Sequence, residues 1–153
     1  MCIRDSPDIT TNGKSFVQYD RLLDQALSGP QWLRDSRIAK AVLSAVETAQ
    51  QRNLCKLRAY VLMANHVHVL LSPKAPIAQI SQQIKGASAR EANLILDRTG
   101  ACFWQDESFD HWIRNPGEWQ RVRSYIERNP VAAGLVEKPE DWQSSSASHP
   151  PAG

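Results

Sequence analysis

Apolar residues recur along this chain with two periods, and the places where one gives way to the other mark its elements. Leu22, Leu23 and Ala26 follow helical spacing within residues 20–27, and Ser28-Gly29-Pro30 stops that segment. From Ser36, which reads as an N-cap, Ile38, Val42, Ala45, Val46 and Ala49 keep the helical period to about Arg52. The period then drops to two. Leu57, Ala59 and Val61 alternate with Arg58 and Tyr60 as in a strand, Met63-Ala64-Asn65 makes a turn, and residues 66–71 form a second strand. Pro73 and Pro76 close the hairpin. Ile77, Ile80 and Ile84 restore the helical period, with Gly86 a candidate break before a continuation over residues 87–98. Thr99-Gly100 ends it.

Phe103-Trp104 and residues 109–113 read as short strands around an acidic turn. The helix that follows is signalled by three residues: Asn115 as cap, Pro116 at the first helical position, and Glu118 completing a capping box. It is expected to run to about Arg128 with Trp119, Val122 and Ile126 as its apolar face, and Pro130 to disrupt it. Residues 143–153 are rich in Ser, Pro and Ala and read as a disordered tail. No internal repeat is present. The order helix, hairpin, helix, strand, helix predicts an α+β sandwich built on an antiparallel sheet.

Composition narrows the function classes. At 153 residues the chain has the size of one domain, and 42% hydrophobic with 22% charged residues excludes disordered, collagen-like and coiled-coil proteins. A net charge of +2 means that any nucleic-acid role must come from where the charges sit. Cys2, Cys55 and Cys102 form no CxxC pair, which argues against a disulfide framework or a thiolate zinc site and suits a reducing compartment. The longest apolar stretch, residues 59–71, is interrupted by Asn65, His66 and His68 and is too short to span a bilayer. Asp5, Pro7 and Asp8 stand where a secretory signal needs an apolar run, so a cytoplasmic location is expected. Residues 1–6, Met-Cys-Ile-Arg-Asp-Ser, resemble the in-frame translation of a sequencing adapter; an ordinary disordered N-terminus is the alternative reading. Residues 7–142 are then the single folded domain.

Three constellations carry candidate chemistry. In His66-Val67-His68 the strand period of two sends both imidazoles to one face and Val67 to the core, so two nitrogens can hold one metal ion; a pair of surface histidines is the competing reading. Between Glu47 and Glu91 no acidic residue occurs, while Arg52, Lys56, Arg58, Lys74, Lys85 and Arg90 all fall there. A basic surface around a metal site suits a phosphodiester, whereas an ordinary solvated helix face needs no ligand. Tyr125 and Asn129 stand at i and i+4, so a phenol and an amide can share a helix face, although a packing tyrosine with a wet hydroxyl has the same pattern.

Together these residues resemble a known family. Tyr60-Val61-Leu62-Met63-Ala64-Asn65-His66-Val67-His68-Val69-Leu70-Leu71 resembles the histidine–hydrophobe–histidine block of the single-tyrosine insertion-sequence transposases. Phe103-Trp104-Gln105, Phe109-Asp110-His111-Trp112-Ile113-Arg114 and Pro139-Glu140-Asp141-Trp142 are similar to their REP-associated branch. So is Tyr125-Ile126-Glu127-Arg128-Asn129-Pro130-Val131-Ala132-Ala133-Gly134-Leu135-Val136. The likeness covers about residues 15–146.

The resemblance implies a ferredoxin-like α+β sandwich with helices on one face of its antiparallel sheet, which binds hairpin-containing, REP-like single-stranded DNA and cleaves it, as a monomer or homodimer. It implies that Tyr125 is the nucleophile and that His66, His68 and Asn129 hold a divalent ion, Mg2+ or Mn2+. Two imidazoles suit manganese or zinc better than magnesium, which prefers oxygen ligands. Lys85 and Arg90, with Arg58, are the expected phosphate contacts. The sequence departs from the family pattern at Ala64, where a proline is usual, and in the first core strand, which is not found before Ser15 and is expected to be missing.

Overall fold

The computed structural model describes residues 30–105, 112–113 and 115–152. The expected helix at 20–27, the adapter-like residues 1–6, the region of the first core strand and residues 109–111 of the expected late strand lie outside the described residues. Within them, a 3-10 turn at Trp32–Arg34 leads into helix α1 (Ser36–Gln51), strands β1 (Cys55–Leu62) and β2 (Val67–Pro73), helix α2 (Ile77–Ile95) and helix α3 (Pro116–Ala132), with a second 3-10 turn at Pro139–Asp141. The class is α+β, as expected, with β1 and β2 antiparallel.

The cap of α1 is Asp35, one residue before the expected Ser36: its carboxylate accepts from the Arg37 backbone N–H at 2.9 Å and also holds the Arg37 guanidinium. Gly86 does not break α2. Its cost in a helix interior is about 1 kcal/mol, and the buried stripe Ile80, Ile84, Ser88 and Ala92 continues past it at four-residue spacing. Asn115 caps α3 as predicted, accepting from Glu118 N–H at 2.9 Å. Pro130 lies inside the last turn of that helix instead of ending it. The helix stops further on, where Gly134 takes φ +72° and its N–H meets the Val131 carbonyl while Leu135 N–H meets that of Pro130. Among the described residues Phe103 and Trp104 belong to no extended strand, and Trp104 is a lone β-bridge residue. They are buried by packing: Trp32 stacks on Phe103 with centroids 5.4 Å apart, and Trp104 Nε1 donates to Ser88 Oγ at 2.9 Å.

The hairpin has two buried faces, and a bulge decides which residue goes where. Leu57 pairs with Leu71, but Ala59 pairs with Leu70, so Arg58 is the extra residue on β1. Leu57 therefore faces opposite to Ala59 and Val61, which the simple alternation had placed together. On one face Leu57, Tyr60, Leu62 and Val67 pack with α1 and α2 around Ile38, Val42, Val46, Ile80 and Ile84. On the other, Ala59, Val61, Met63 and Leu70 meet Ile126, Trp119 and Val122 of α3. The expectation put the helices on one face. α1 and α2 are there, and α3 covers the second face because that surface is apolar too.

The tail expected to be disordered is seated on β1. Ser145 bridges Val61, Leu62 N–H donates to the Ser144 carbonyl, and Ser146 N–H donates to Tyr60 O at 2.9 Å. Ser145 and Ser146 are buried, and Trp142 Nε1 reaches the Leu62 carbonyl at 2.9 Å. A serine-rich segment has little apolar surface to bury, so it holds its place by satisfying the outer hydrogen-bonding edge of β1.

Candidate functional site

The site forms where the hairpin turn meets α3. Leu62 pairs with Val67, and Met63 N–H donates to the His66 carbonyl at 2.9 Å, which closes the turn over Met63, Ala64, Asn65 and His66. The Ala64 carbonyl accepts from Leu33 N–H at 3.1 Å, tying the turn to the entry of α1 although the usual proline is absent. His68 pairs with Val61, on the face that α3 covers, while Val67 points into the other core, as the period of two predicted. The two imidazoles stand edge to face with centroids 5.1 Å apart.

His66 is 1% exposed, and both histidine Nε2 atoms are shielded from solvent. The other nitrogen of His66, Nδ1, lies 2.8 Å from Asn65 Oδ1. Asn65 is a site residue that the sequence reading missed. Its only signal was its position before the first histidine.

The register of α3, fixed by the Asn115 cap and by Ile126 in the core, places Tyr125 at the margin of the buried stripe. Its ring meets the His68 ring edge to face at 6.1 Å between centroids. Asn129, one turn further on, is 3% exposed, and its Oδ1 is buried with no hydrogen-bond partner among the described residues. The structure thus brings His66, His68 and Tyr125 together, with Asn129 on the same helix. No group of three or more His, Cys, Asp and Glu residues suited to a metal ion occurs among the described residues. The candidate donors are two imidazoles and an amide oxygen. A buried amide oxygen without a hydrogen-bond donor costs about 1–3 kcal/mol, a cost that a bound cation would offset.

The basic candidates divide. Arg58 donates through Nε to Ser72 Oγ at 3.0 Å. Ser72 follows His68 and Leu70 at two-residue spacing in β2, so Arg58 lies along the same sheet face as His68. Lys85 and Arg90 sit on α2, which packs behind the opposite face. Arg90 is exposed, and Lys85 Nζ donates to the Gln105 carbonyl at 2.7 Å. Those two are not brought to the histidine pair.

Two other reactive side chains belong to the other core. Tyr60 is 3% exposed on the α1 face, its hydroxyl donates to the His149 carbonyl at 3.1 Å, and burial, helped by Glu47, pushes its pKa up. Burial likewise raises the Cys55 thiol, with nearby Lys74 acting against it. Both lie in the core on the α1 and α2 side of the hairpin, on the opposite sheet face from His68. No helix among the described residues is long and apolar enough to cross a membrane.

A solved structure titled as a REP-associated tyrosine transposase bound to a REP hairpin shares this fold. Its TM-score is 0.62 at 20% identity, covering 79% of this chain and 70% of that one. Comparison with curated proteins finds no match. The family described as "Transposase IS200 like" matches residues 30–129, which include both histidines, the tyrosine and Asn129. The chain belongs to the IS200-like transposase family.

Proposed function

We propose that the protein is a metal-dependent endonuclease and strand transferase that acts on hairpin-containing single-stranded DNA through a covalent 5′-phosphotyrosine link at Tyr125. The observation that carries this is the contact of Tyr125 with His68, itself 5.1 Å from the buried His66. A nucleophile and a two-nitrogen donor set on one face match an in-line attack on a phosphodiester. The structural neighbour is bound to a REP hairpin, and a hairpin is the substrate class proposed for this chain.

His66 Nε2, His68 Nε2 and Asn129 Oδ1 are the groups that would hold the ion, Mg2+ or Mn2+. Bound there, the ion would neutralise charge on the scissile phosphate and polarise phosphorus. The phenol of Tyr125 supplies the attacking oxygen. The Tyr125 O–P bond forms as the P–O3′ bond breaks, and the proton given up by the phenol balances the one gained by the departing 3′-hydroxyl. The reverse reaction, with a 3′-hydroxyl attacking the phosphotyrosine, rejoins strands. Packing against His68 orients the ring, and Arg58 on the same face holds the flanking phosphates, with Lys85 and Arg90 contacting the hairpin outside the cleavage face.

The experiment is an adduct assay. Incubated with Mn2+ and an end-labelled single-stranded hairpin, the wild type is expected to give a labelled protein band that survives denaturation. Tyr125→Phe is expected to lose it while still binding the DNA. A wild type that binds hairpins but forms no adduct is a catalytically silent binding protein.

A further inference from the structure

We infer that Asn65 is a positioning residue: its side-chain oxygen holds His66 in the Nδ1–H tautomer and so leaves the lone pair of the buried Nε2 for a metal ion. An inference about ligand preparation, it rests on the proposed metal role of His66.

The argument starts from proton counting. Asn65 Oδ1 lies 2.8 Å from His66 Nδ1, and an amide oxygen can only accept, so Nδ1 must carry the proton. A neutral imidazole has one such proton. Nε2 is then bare, which is the form that a metal ion requires. Both residues are buried, Asn65 at 6% and His66 at 1% exposure, so water does not compete for Nδ1. Side chains of adjacent residues in a strand point to opposite faces and cannot meet. These meet because Asn65 and His66 lie in the turn, which Met63 N–H closes on the His66 carbonyl and Leu33 N–H fixes at Ala64. Without Asn65, the proton can move to Nε2, and that tautomer has no lone pair to offer at the site.

The test uses the full chain without DNA, with two readouts. Long-range proton–nitrogen NMR of the metal-free protein reports the His66 tautomer, and calorimetry with Mn2+ alone reports affinity. The wild type is expected to show Nδ1–H. Asn65→Ala is expected to populate the Nε2–H form and to weaken Mn2+ binding by about 10- to 100-fold. Asn65→Asp, which keeps an accepting oxygen, is expected to restore the Nδ1–H form and an affinity within about threefold of wild type. A wild type found as Nε2–H overturns the inference without any variant. So does an Asn65→Ala protein that keeps both the Nδ1–H tautomer and the wild-type affinity. A wild type with the Nδ1–H tautomer that binds no Mn2+ upholds the tautomer assignment and overturns the metal role.

Discussion

The rings of His68 and Tyr125 meet edge to face, centroids 6.1 Å apart, so the second strand and the third helix are joined by the same side chains that carry the proposed chemistry. Such an aromatic contact adds about 0.5–1.5 kcal/mol beyond burial. The phenyl ring makes it, and the hydroxyl does the chemistry. Tyr125→Phe should therefore lower the thermal midpoint by less than about 3 °C, and Tyr125→Ala by about 6–10 °C, for a drop of about 2–3 kcal/mol. Circular dichroism melts decide it. Equal drops for Phe and Ala would mean that the hydroxyl, and not the ring, keys the helix to the strand.

The basic residues make a second test, because they sit on different layers. Arg58 shares the His68 face through Ser72, while Arg90 is exposed on α2 behind the sheet. Removing a cation that neutralises one phosphate reduces the log–log salt slope of binding by about one unit. Arg58→Ala and Arg90→Ala should each show this in hairpin titrations at several salt concentrations, and only Arg58→Ala should also slow cleavage of saturated DNA. Lys85→Ala should weaken binding too, together with a small decrease in stability, since its ammonium also holds the Gln105 carbonyl. A slope unchanged in Arg90→Ala would remove α2 from the DNA surface.

Local signals were legible where a single element decides them. The Asn115 cap, the Trp119, Val122 and Ile126 stripe and the same-face histidines all follow from helix and strand periods, and the structure has them. What the sequence did not disclose depends on partners distant along the chain. The bulge at Arg58 exists only as a mismatch between β1 and β2, so Leu57 changes face with no sign in its own neighbours. The tail is fixed by backbone pairing with β1 and by Ser146 Oγ donating to Glu127 Oε1, which no hydrophobic pattern records. Asn65 meets His66 only because a turn, and not a strand, joins them.

Alkaline pH should expose the buried acids. Burial raises the Tyr60 pKa above its ordinary 10.0 and the Cys55 pKa above 9.0. A folded-state pKa above the unfolded value means that the native state holds its proton more tightly. The stabilisation is then complete below the ordinary value and disappears as pH rises through the folded one. Urea midpoints should hold steady up to about pH 8 and decline beyond about pH 9. Tyr60→Phe, which has no proton to lose, should show a shallower decline above about pH 10, though it starts lower for want of the bond to the His149 carbonyl. An identical slope would assign the decline to other groups.

Asn129 offers the sharpest separation of structural and functional roles, because the two predict opposite signs. Its Oδ1 is buried with no hydrogen-bond partner among the described residues. Deleting an amide oxygen that hydrogen-bonds within the fold would cost about 1–3 kcal/mol. An oxygen held ready for a cation is a burden on the metal-free protein, so deleting it should leave stability unchanged or raise it slightly. Asn129→Ala is thus expected to match or exceed the wild-type urea midpoint in chelator, with only the reduced side-chain packing working against it. With Mn2+ added the order should reverse. A ligand that binds only the folded state stabilises it in proportion to the logarithm of its affinity, and a tenfold weaker affinity removes about 1.4 kcal/mol of that stabilisation. Unfolding curves of both proteins with and without Mn2+ therefore form a closed cycle. Crossing of the two orders supports Asn129 as the third ligand. A variant that is weaker in chelator by the full cost of a buried hydrogen bond, and gains from Mn2+ as much as wild type does, would make Asn129 a structural residue and leave His66 and His68 as the whole donor set.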